Sequence, residues 1–402
     1  MLKRLIVAAA CCCGALGAVH ISALADPSQS DIQRLAHNIV VTSAAVRPGE
    51  VVVIEGGKHT VPLMESLAIE AQNAGGIVTM FLDSDAVLRS RNMNVPEKYL
   101  STEPRFLADW LKNVDVYITL PAVSDIKALD AGVSARRLGL INKSTEFLTP
   151  LLDSMKYREV DITYPTAERA SSMGLDAATY SAMLWNAMRA DYAEVAKKGQ
   201  AAQTLLHGGK SVHITSPDGT DVTFDLDAQR PIFVDSGTIT AERAAGKPYV
   251  YRDVGIPGGS VALAPVEASA NGKVVVPQVR CRFETMRNVT LEFHNGVAQN
   301  IAASSGMGCF NALLSASGGP TKTVASFSIG LNPAWTSHEE NGAAYYPNAG
   351  AGVVYIATGD NQLLGGANKT VGNYGFAFPI RNATVTVDGR SIVSNGVLAS
   401  LP

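Results

Sequence analysis

The chain has 402 residues, of which 47 % are hydrophobic and 17 % are charged, a composition that excludes an intrinsically disordered protein. The formal net charge is −3, and no Lys/Arg block or basic stripe interrupts the sequence, which argues against nucleic-acid binding. The length favours two domains. The partner that we expect is therefore a small molecule or a peptide.

The first 25 residues have the anatomy of a secretory signal peptide. Lys3 and Arg4 precede an apolar run, and Ala23-Leu24-Ala25 places small residues before a cleavage site. We therefore expect an exported protein, periplasmic or secreted, whose mature chain begins at Asp26. The apolar run is too short to cross a membrane comfortably, and no other long apolar segment follows, so we expect no membrane span.

The five cysteines fall into two groups with different meanings. Cys11, Cys12 and Cys13 lie within the apolar run and leave a lipid anchor as the less favoured alternative to cleavage. Cys281 and Cys309 remain in the mature chain. An oxidising compartment would allow them to form a disulfide, but two buried free thiols are the alternative, and the sequence does not choose between them.

The segment 26–205 alternates helical and extended patterns. Continuous apolar strands separated by helices predict an α/β domain with a parallel sheet covered by helices on both faces. The strands are expected at 51–54, 77–82, 114–120 and 160–163, and helices at 32–40, 62–74 and 176–198.

The pattern changes near residue 205, where we place the domain boundary. Residues 206–402 read as short strands with tight turns, which predicts a β-rich α+β domain. Pro217-Asp218-Gly219 lies between two extended segments and predicts a hairpin. Four further turn dipeptides are expected, at Asn271-Gly272, Asn295-Gly296, Asp388-Gly389 and Asn395-Gly396.

Short motifs of known chemistry are sparse. Gly56-Gly57-Lys58-His59-Thr60 follows a strand and precedes a helix, but it lacks the spacing of a phosphate-binding loop, so a simple turn is favoured. The histidines form no standard zinc motif. His338-Glu339-Glu340 is the one dense cluster of ligand-type residues, and a solvated charged loop is its simpler interpretation.

Several segments, taken in order, resemble the thermophilic metallo-aminopeptidases of the aminopeptidase T family. The resemblance covers most of the mature chain, although each segment is short. The segments are Arg47-Pro48-Gly49-Glu50, Gly255-Ile256-Pro257-Gly258-Gly259-Ser260-Val261, Ala264-Pro265-Val266-Glu267, Ile329-Gly330-Leu331-Asn332-Pro333, Gly365-Gly366-Ala367-Asn368-Lys369-Thr370 and Val387-Asp388-Gly389. The resemblance also implies a homodimer.

The resemblance implies two metal ions that clamp a water molecule against a peptide carbonyl. In this sequence the family's ligand positions carry other residues, namely Ser260, Ser326, Tyr355, Gln362, Asn373 and Gly375. Neutral serine, glutamine and asparagine are poor ligands for zinc or cobalt. We therefore predict no metal at these positions and no cofactor. A divalent metal would need ligands recruited from elsewhere, from His294, His338, Glu339 or Glu340.

Three functional hypotheses follow from these substitutions. The leading one is an exported aminopeptidase-like hydrolase acting on peptides or small amides. Its catalytic residues would be Ser260, Glu267 as a base and Tyr355, and its site would be lined by Ser326, Gln362 and Asn373. Ser260 could act as a nucleophile only with a base within hydrogen-bond reach, and a serine that merely follows a glycine turn is the simpler interpretation.

The second hypothesis is a catalytically inactive periplasmic protein that binds a small molecule in the former metal pocket. The third is a metalloenzyme with recruited ligands, or a relative of the mononuclear iron dioxygenases that open dihydroxypyridine rings. The resemblance to that branch implies a His/His/Asp-type ligand set, which Asn373 and Gly375 do not supply.

Overall fold

The computed structural model describes residues 28–247, 249–281, 284–339, 343 and 345–399. The predicted signal peptide, the cysteines at 11–13 and Glu340 lie outside these residues. The helices are α1 Gln29–Asn38, α2 Val61–Asn73, α3 Asp85–Asn94, α4 Glu97–Leu100, α5 Phe106–Leu111, α6 Ile126–Asp130, α7 Ala135–Lys143, α8 Ala167–Ser172, α9 Ala177–Met188, α10 Tyr192–His207, α11 Ala241–Ala245 and α12 Met307–Ala316.

The strands follow in the same chain order. They are β1 Val51–Gly57, β2 Ile77–Asp83, β3 Val116–Thr119, β4 Arg158–Ile162, β5 Ser211–Thr215, β6 Asp221–Asp225, β7 Ile232–Asp235, β8 Asp253–Ile256, β9 Ser260–Leu263, β10 Asn271–Cys281, β11 Glu284–His294, β12 Val297–Ala302, β13 Val324–Gly330, β14 Val354–Gly359, β15 Gly375–Ile380, β16 Thr384–Val387, β17 Arg390–Ser394 and β18 Val397–Leu398.

The first half of the chain forms a parallel sheet with strand order β2-β1-β3-β4-β8. Successive residues of β1 enter different cores: Val52 and Ile54 pack with α1, α2 and α9, whereas Val53 packs on the opposite face with α5. A strand that is apolar on both faces requires cover on both, which explains the continuous Val51–Ile54 run. The predicted α/β architecture, with helices on both faces of the sheet, is confirmed.

The last strand of this sheet comes from beyond the boundary predicted near residue 205. Strand β8 pairs in parallel with β4, from Glu159 opposite Asp253 to Ile162 opposite Ile256. Trp335 and Tyr345, which come from still later in the chain, pack into the same core as α1, α2 and α9. Residues from the second half of the chain therefore complete the sheet and the core of the first half.

The prediction of one helix over 176–198 is wrong, because two helices occupy this region. Helix α9 ends at Met188 and α10 begins at Tyr192. The carboxylate of Asp191 accepts hydrogen bonds from the backbone N–H groups of Ala193 and Glu194, at 3.0 and 3.3 Å, and so caps the second helix. An aspartate between two apolar stretches was the signal for this break.

The second half is a sandwich of two antiparallel sheets, which confirms the β-rich prediction. An eight-stranded sheet has the order β12-β11-β10-β6-β5-β16-β17-β18, and a third sheet has the order β15-β14-β13-β9-β7. Their inner faces share one core, in which Phe224 of the eight-stranded sheet contacts Phe327 of the third sheet, with ring centroids 5.2 Å apart. Helix α10 also packs into this core.

The turn dipeptides of this half are mostly placed as predicted. Asn295-Gly296, Asp388-Gly389 and Asn395-Gly396 have positive φ at both residues, as two-residue hairpin turns require. The turn predicted at Asn271-Gly272 is wrong, because both residues lie in β10 and pair with Thr223 and Val222 of β6. Gly272 is required there by a close approach: a Cβ atom would lie 2.2 Å from the carbonyl oxygen of Asp221.

Cys281 and Cys309 form a disulfide, which resolves the alternative left open by the sequence. The bond joins the end of β10 to the first turn of α12 and closes a sequence separation of 28 residues. Throughout the part of the chain that the structure describes, no helix is long and apolar enough to span a membrane.

Candidate functional site

The outer face of the third sheet brings together three of the predicted site residues. Along its strands, core residues such as Val261, Phe327 and Ile356 alternate with residues that point away from the sandwich core. The outward set includes Ser260 and Ala262 of β9, Ser326 and Ser328 of β13, and Tyr355 of β14. We call these five residues the serine face. Four of them are half-buried polar residues.

The strand register fixes which residues of the serine face are neighbours. Ser328 lies directly opposite Ala262 on one side and Tyr355 on the other. Residues opposed in this way have Cβ atoms about 4.5–5.5 Å apart, so the side chains can share one ligand. Ser328 was not predicted as a site residue. Its signal was the alternation Ser326-Phe327-Ser328, which is typical of a strand with one polar face.

Ser260 lies at the end of the serine face, opposite Asp235 of β7 and Gly330 of β13. Asp235 is the carboxylate that the register places opposite Ser260, and no sequence motif pointed to it. One carboxylate oxygen accepts a hydrogen bond from Gly237 N–H at 3.0 Å and the other accepts one from Gly255 N–H at 3.1 Å. Both oxygens therefore hold backbone N–H groups in place. Asp235 is thus a structural carboxylate rather than a base that could take a proton from Ser260.

The Tyr355 hydroxyl is committed to the protein itself. It donates a hydrogen bond of 2.5 Å to the carbonyl oxygen of Tyr346. Burial raises the pKa of Tyr355 well above its ordinary value, so the side chain stays a neutral phenol. Tyr355 can line a site with its ring and oxygen, but its proton already has an acceptor.

Glu267 does not have the properties of a general base. Its carboxylate forms an ion pair with Arg230, and its Oε1 atom also accepts hydrogen bonds from Ala367 N–H at 2.8 Å and from the Asn361 side chain at 3.0 Å. Partial burial acts to raise the pKa of Glu267, but the hydrogen bonds from Arg230, Ala367 and Asn361 outweigh it and lower the pKa to about 2. A carboxylate of such low basicity is a poor proton acceptor near neutral pH.

The two remaining predicted residues, Gln362 and Asn373, lie in the loop between β14 and β15. Gln362 is exposed at the start of a 3-10 turn, and Asn373 is half-buried with a positive φ of 51°. The loop is held by two asparagines: the Asn361 side-chain oxygen accepts from Asn368 N–H at 2.8 Å, and the Asn368 side chain donates to the Val324 carbonyl at 2.9 Å. Glu267 thus contacts this loop through Asn361 and Ala367, not through Gln362.

Among the residues that the structure describes, those proposed as recruited metal ligands form no group that could hold a metal ion. Glu339 is paired with Arg381 at 2.8 Å, and His294 lies on β11 with Glu292 at 3.7 Å. Within the described ranges, no three His, Cys, Asp or Glu side chains are grouped so that they could hold a metal ion. Ser260 and Ser326 offer hydroxyl groups, and Gln362 and Asn373 offer amide groups. These groups do not fit the metal centres implied by the resemblance.

The loop after β1 is a strand-to-helix turn. The Thr60 hydroxyl donates to the Gly57 carbonyl at 2.8 Å, and Gly57 N–H donates to the Pro121 carbonyl at 2.9 Å. Gly57 packs closely, since a Cβ atom would lie 2.5 Å from the carbonyl oxygen of Ala122. The simpler interpretation of this motif agrees with these contacts.

Comparison with known structures establishes the fold. Aminopeptidase T (wild-type AmpT) from Thermus thermophilus aligns with a TM-score of 0.72 and 17 % identity, covering 93 % of this chain and 100 % of that one. A 2,5-dihydroxypyridine dioxygenase from Pseudomonas putida KT2440 aligns with a TM-score of 0.60 and 18 % identity, covering 93 % and 99 %. Identities this low show a common fold and leave activity open.

Sequence comparison gives a family. No curated protein matches the chain. The family model described as NicX, 2,5-dihydroxypyridine 5,6-dioxygenase, matches residues 184–400, which include the whole serine face and the loop between β14 and β15. The match covers more than half of the sequence, and the chain therefore belongs to the NicX family, on a fold that it shares with aminopeptidase T.

Proposed function

We propose that this protein binds a small polar ligand on the serine face without a metal ion and without hydrolysing it. One observation carries the proposal. Five of the six positions that the aminopeptidase resemblance assigns to metal ligands carry neutral hydroxyl or amide side chains, and three of these five share one face of one sheet. A half-buried surface of hydroxyl groups without net charge is suited to a neutral ligand with several hydrogen-bonding atoms.

Hydrolysis is less well supported than binding because neither Asp235 nor Glu267 is suited to act as a base for the candidate nucleophile. Asp235, opposite Ser260, holds two backbone N–H groups, and Glu267 has a pKa of about 2 within its ion pair. A serine hydroxyl is a weak nucleophile unless an adjacent base removes its proton. The alternative hypothesis, against which we test binding, is an exported peptidase or amidase that has lost its metal site.

The family suggests the class of ligand. The name of the matched family refers to a dihydroxypyridine, a flat ring with polar atoms at its rim. Ala262 and Ala357 lie beside Ser328 and Ser326 in the register, so small side chains flank the hydroxyl groups. We infer that a hydroxylated aromatic ring can lie against these alanines while its rim exchanges hydrogen bonds with the serines.

A second candidate is the ring-opening dioxygenase reaction itself. The family match over residues 184–400 favours it. That reaction would require iron ligands other than Ser260, Ser326, Gln362 and Asn373. Such a metalloenzyme would contain stoichiometric metal and would lose activity with a chelator.

The test combines binding, turnover and metal content on the same purified protein. We expect calorimetry under anaerobic conditions to show binding of 2,5-dihydroxypyridine that a chelator does not change. We also expect no ring opening in air, no hydrolysis of aminoacyl anilides and no stoichiometric iron or zinc after incubation with either metal. Ser328→Leu, which fills the middle of the serine face, should weaken binding at least tenfold, a loss of about 1.4 kcal/mol.

The matched control is Ser394→Leu, which makes the same change at an exposed position of β17 in the other sheet. Binding should be unchanged in this variant. Chelator-sensitive ring opening would instead select the dioxygenase. Chelator-insensitive anilide hydrolysis that is lost in Ser260→Ala would select the hydrolase. Absence of both binding and turnover would reject the ligand class.

We further propose that the protein is exported and matures in an oxidising compartment. The disulfide between Cys281 and Cys309 supports this, because structural disulfides persist in such compartments and are rare in the cytosol. The signal-like segment at residues 1–25 points in the same direction. Recovery of the expressed protein from the periplasm or medium, shortened at its amino end, tests the proposal, and retention in the cytosol at full length would reject it.

A further inference from the structure

One row of residues crosses the outer face of the third sheet from β7 to β15. The register places Phe233 opposite Ala262, Ala262 opposite Ser328, Ser328 opposite Tyr355, and Tyr355 opposite Pro379. Opposed residues of antiparallel strands project from the same face, so these side chains all lie on the side away from the sandwich core. The small residues Ala262 and Ser328 therefore lie between two aromatic side chains, Phe233 and Tyr355.

Phe233 has an aromatic partner outside the sheet. Its neighbours in β7 face the other way, because Ile232 lies in the sandwich core and Val234 packs against that core. The Phe233 ring packs against Tyr251, with ring centroids 4.9 Å apart and ring planes inclined at 56°. Phe233 is 8 % exposed and Tyr251 is half-buried. We call these two residues the aromatic wall.

Arg243 holds the aromatic wall in place. Its guanidinium donates hydrogen bonds to the carbonyl oxygens of Val234 at 2.5 Å, Tyr251 at 2.9 Å and Asp253 at 3.0 Å. One side chain thus joins β7, the 3-10 turn Tyr249–Arg252 and the start of β8. A contact surface that is fixed before binding costs less conformational entropy when a ligand arrives, so the wall is prepared for a ligand.

The aromatic wall also lies near the loop between β14 and β15. The turn Tyr249–Arg252, which contains Tyr251, lies next to the 3-10 turn Gln362–Leu364 of that loop. Gly365 packs against Pro231, just before β7, since a Cβ atom at this glycine would lie 2.7 Å from the proline ring. The loop that contains the predicted binding residue Gln362 therefore adjoins the wall.

The spacing of the strands sets the width between the two aromatic residues of the row. Adjacent strands lie about 4.8 Å apart, so the backbones at Phe233 and Tyr355, three strand intervals apart, are separated by about 14 Å. Van der Waals contact at about 3.5–4 Å on each side leaves about 6–7 Å for the atoms of a ligand. This width suits one six-membered ring with its substituents, lying over Ala262 and Ser328.

We propose that the aromatic wall makes the serine face selective for an aromatic ring over a saturated ring that carries the same hydroxyl groups. The inference rests on the proposed function and adds the residues that set its ligand preference. An aromatic ring can meet Phe233 and Tyr251 in edge-to-face or offset contact, whereas a saturated ring cannot. Such contacts favour binding about three- to tenfold beyond the burial of area, while Ser328 recognises the hydroxyl groups of either ring.

The test compares benzene-1,4-diol with cyclohexane-1,4-diol, which carry hydroxyl groups at the same ring positions. Anaerobic calorimetry on the purified protein gives both dissociation constants and hence their ratio. The wild type should bind the aromatic diol about three- to tenfold more tightly. Tyr251→Leu, which removes a ring from the wall, should bring the ratio close to one. Tyr251→Phe, which keeps the ring, should retain the wild-type ratio.

Three further variants complete the test. Phe233→Leu changes the other member of the wall and should lower the ratio in the same way, which provides a second measurement if Tyr251→Leu does not fold. Tyr99→Leu makes the same change as Tyr251→Leu at a 56 % exposed position of α4 and should leave the ratio unchanged. Ser328→Leu fills the serine face and should weaken the binding of both diols.

The outcomes separate this inference from the proposed function. If neither the diols nor 2,5-dihydroxypyridine bind, the proposed function is rejected and the selectivity with it. If 2,5-dihydroxypyridine binds and Ser328→Leu weakens its binding, the proposed function stands. The aromatic wall alone is then rejected if the wild type shows no preference for the aromatic diol, or if Tyr251→Leu and Phe233→Leu keep the wild-type ratio.

Discussion

Arg230 and Glu267 form a two-pronged ion pair, with Nη1 2.9 Å from Oε1 and Nη2 2.5 Å from Oε2. The same Oε1 atom accepts two further hydrogen bonds from the loop between β14 and β15. Glu267, which was predicted from the sequence to be a base, therefore links this loop to the segment after β9. Its chemical role is to hold the position of Asn361 and Ala367.

Glu267→Gln should destabilise the protein by about 1–3 kcal/mol. The change keeps the size of the side chain but leaves Arg230 with only the more exposed Asp227, 3.4 Å away, as a counter-ion. The side chains of Arg230 and Glu267 are only about one-sixth exposed, 16 and 17 %. Urea unfolding followed by circular dichroism measures the effect. Glu65→Gln, at an exposed position of α2, is the matched control and should shift the midpoint by a few tenths of a kcal/mol or less.

Acid should remove the contribution of Glu267 in a defined window. Its pKa is lowered from 4.5 in the unfolded chain to about 2 in the folded protein, so the unfolded chain binds its proton first as the pH falls. The stabilisation is complete above pH 4.5 and is lost between pH 4.5 and 2. Unfolding free energies measured through this window should fall less steeply in Glu267→Gln than in the wild type. Parallel slopes would contradict the assignment.

Reduction of the disulfide should cost about 3 kcal/mol. The bond closes 28 residues, and cross-linking a loop of this size limits the freedom of the unfolded chain. Thermal unfolding with and without a phosphine reductant measures the loss. The Cys281→Ala/Cys309→Ala double variant should already be destabilised and should not respond to the reductant. An equal response in the variant would show that the reductant acts elsewhere.

Asn332→Ala should destabilise the protein by about 2–4 kcal/mol. Asn332 is fully buried, and its side chain donates to the carbonyl oxygens of Ala187 and Gly258 at 3.0 and 2.9 Å and accepts from Ala334 N–H. Truncation leaves these groups of three separate segments unsatisfied in the interior. The unfolding midpoint in urea measures the effect. Asn186→Ala, at an exposed position of α9, provides the comparison and should be near neutral.

The parallel sheet was predictable from the sequence because its local and long-range signals agree. Val51–Ile54 is apolar at every position, and such a run needs two covered faces wherever it lies. The return of β8 was not predictable in the same way. Asp253–Ile256 is four residues long, and its pairing with β4 is fixed by tertiary packing rather than by periodicity. The break between α9 and α10 was readable at Asp191, where a capping side chain interrupts a helical pattern.

The candidate site was predictable in part. Motif order placed Ser260, Ser326 and Tyr355, and the register brings them to one face. The pairing partners of these residues were not readable, because register is a property of two strands. Asp235 lies opposite Ser260 across β7 and β9, and Arg230 reaches Glu267 from a separate loop. No spacing within a single segment encodes either contact.

The late return of the chain to its first sheet has a consequence for biosynthesis. A ribosome must add Ile256 before β4 can acquire its outer neighbour, so the parallel sheet remains incomplete until well over half of the polypeptide has been made. A truncated product ending near residue 205 would carry β4 as a bare edge and would lack the later residues Trp335 and Tyr345 that fill the core. This connectivity delays compaction of the nascent chain, which suits the export that we propose.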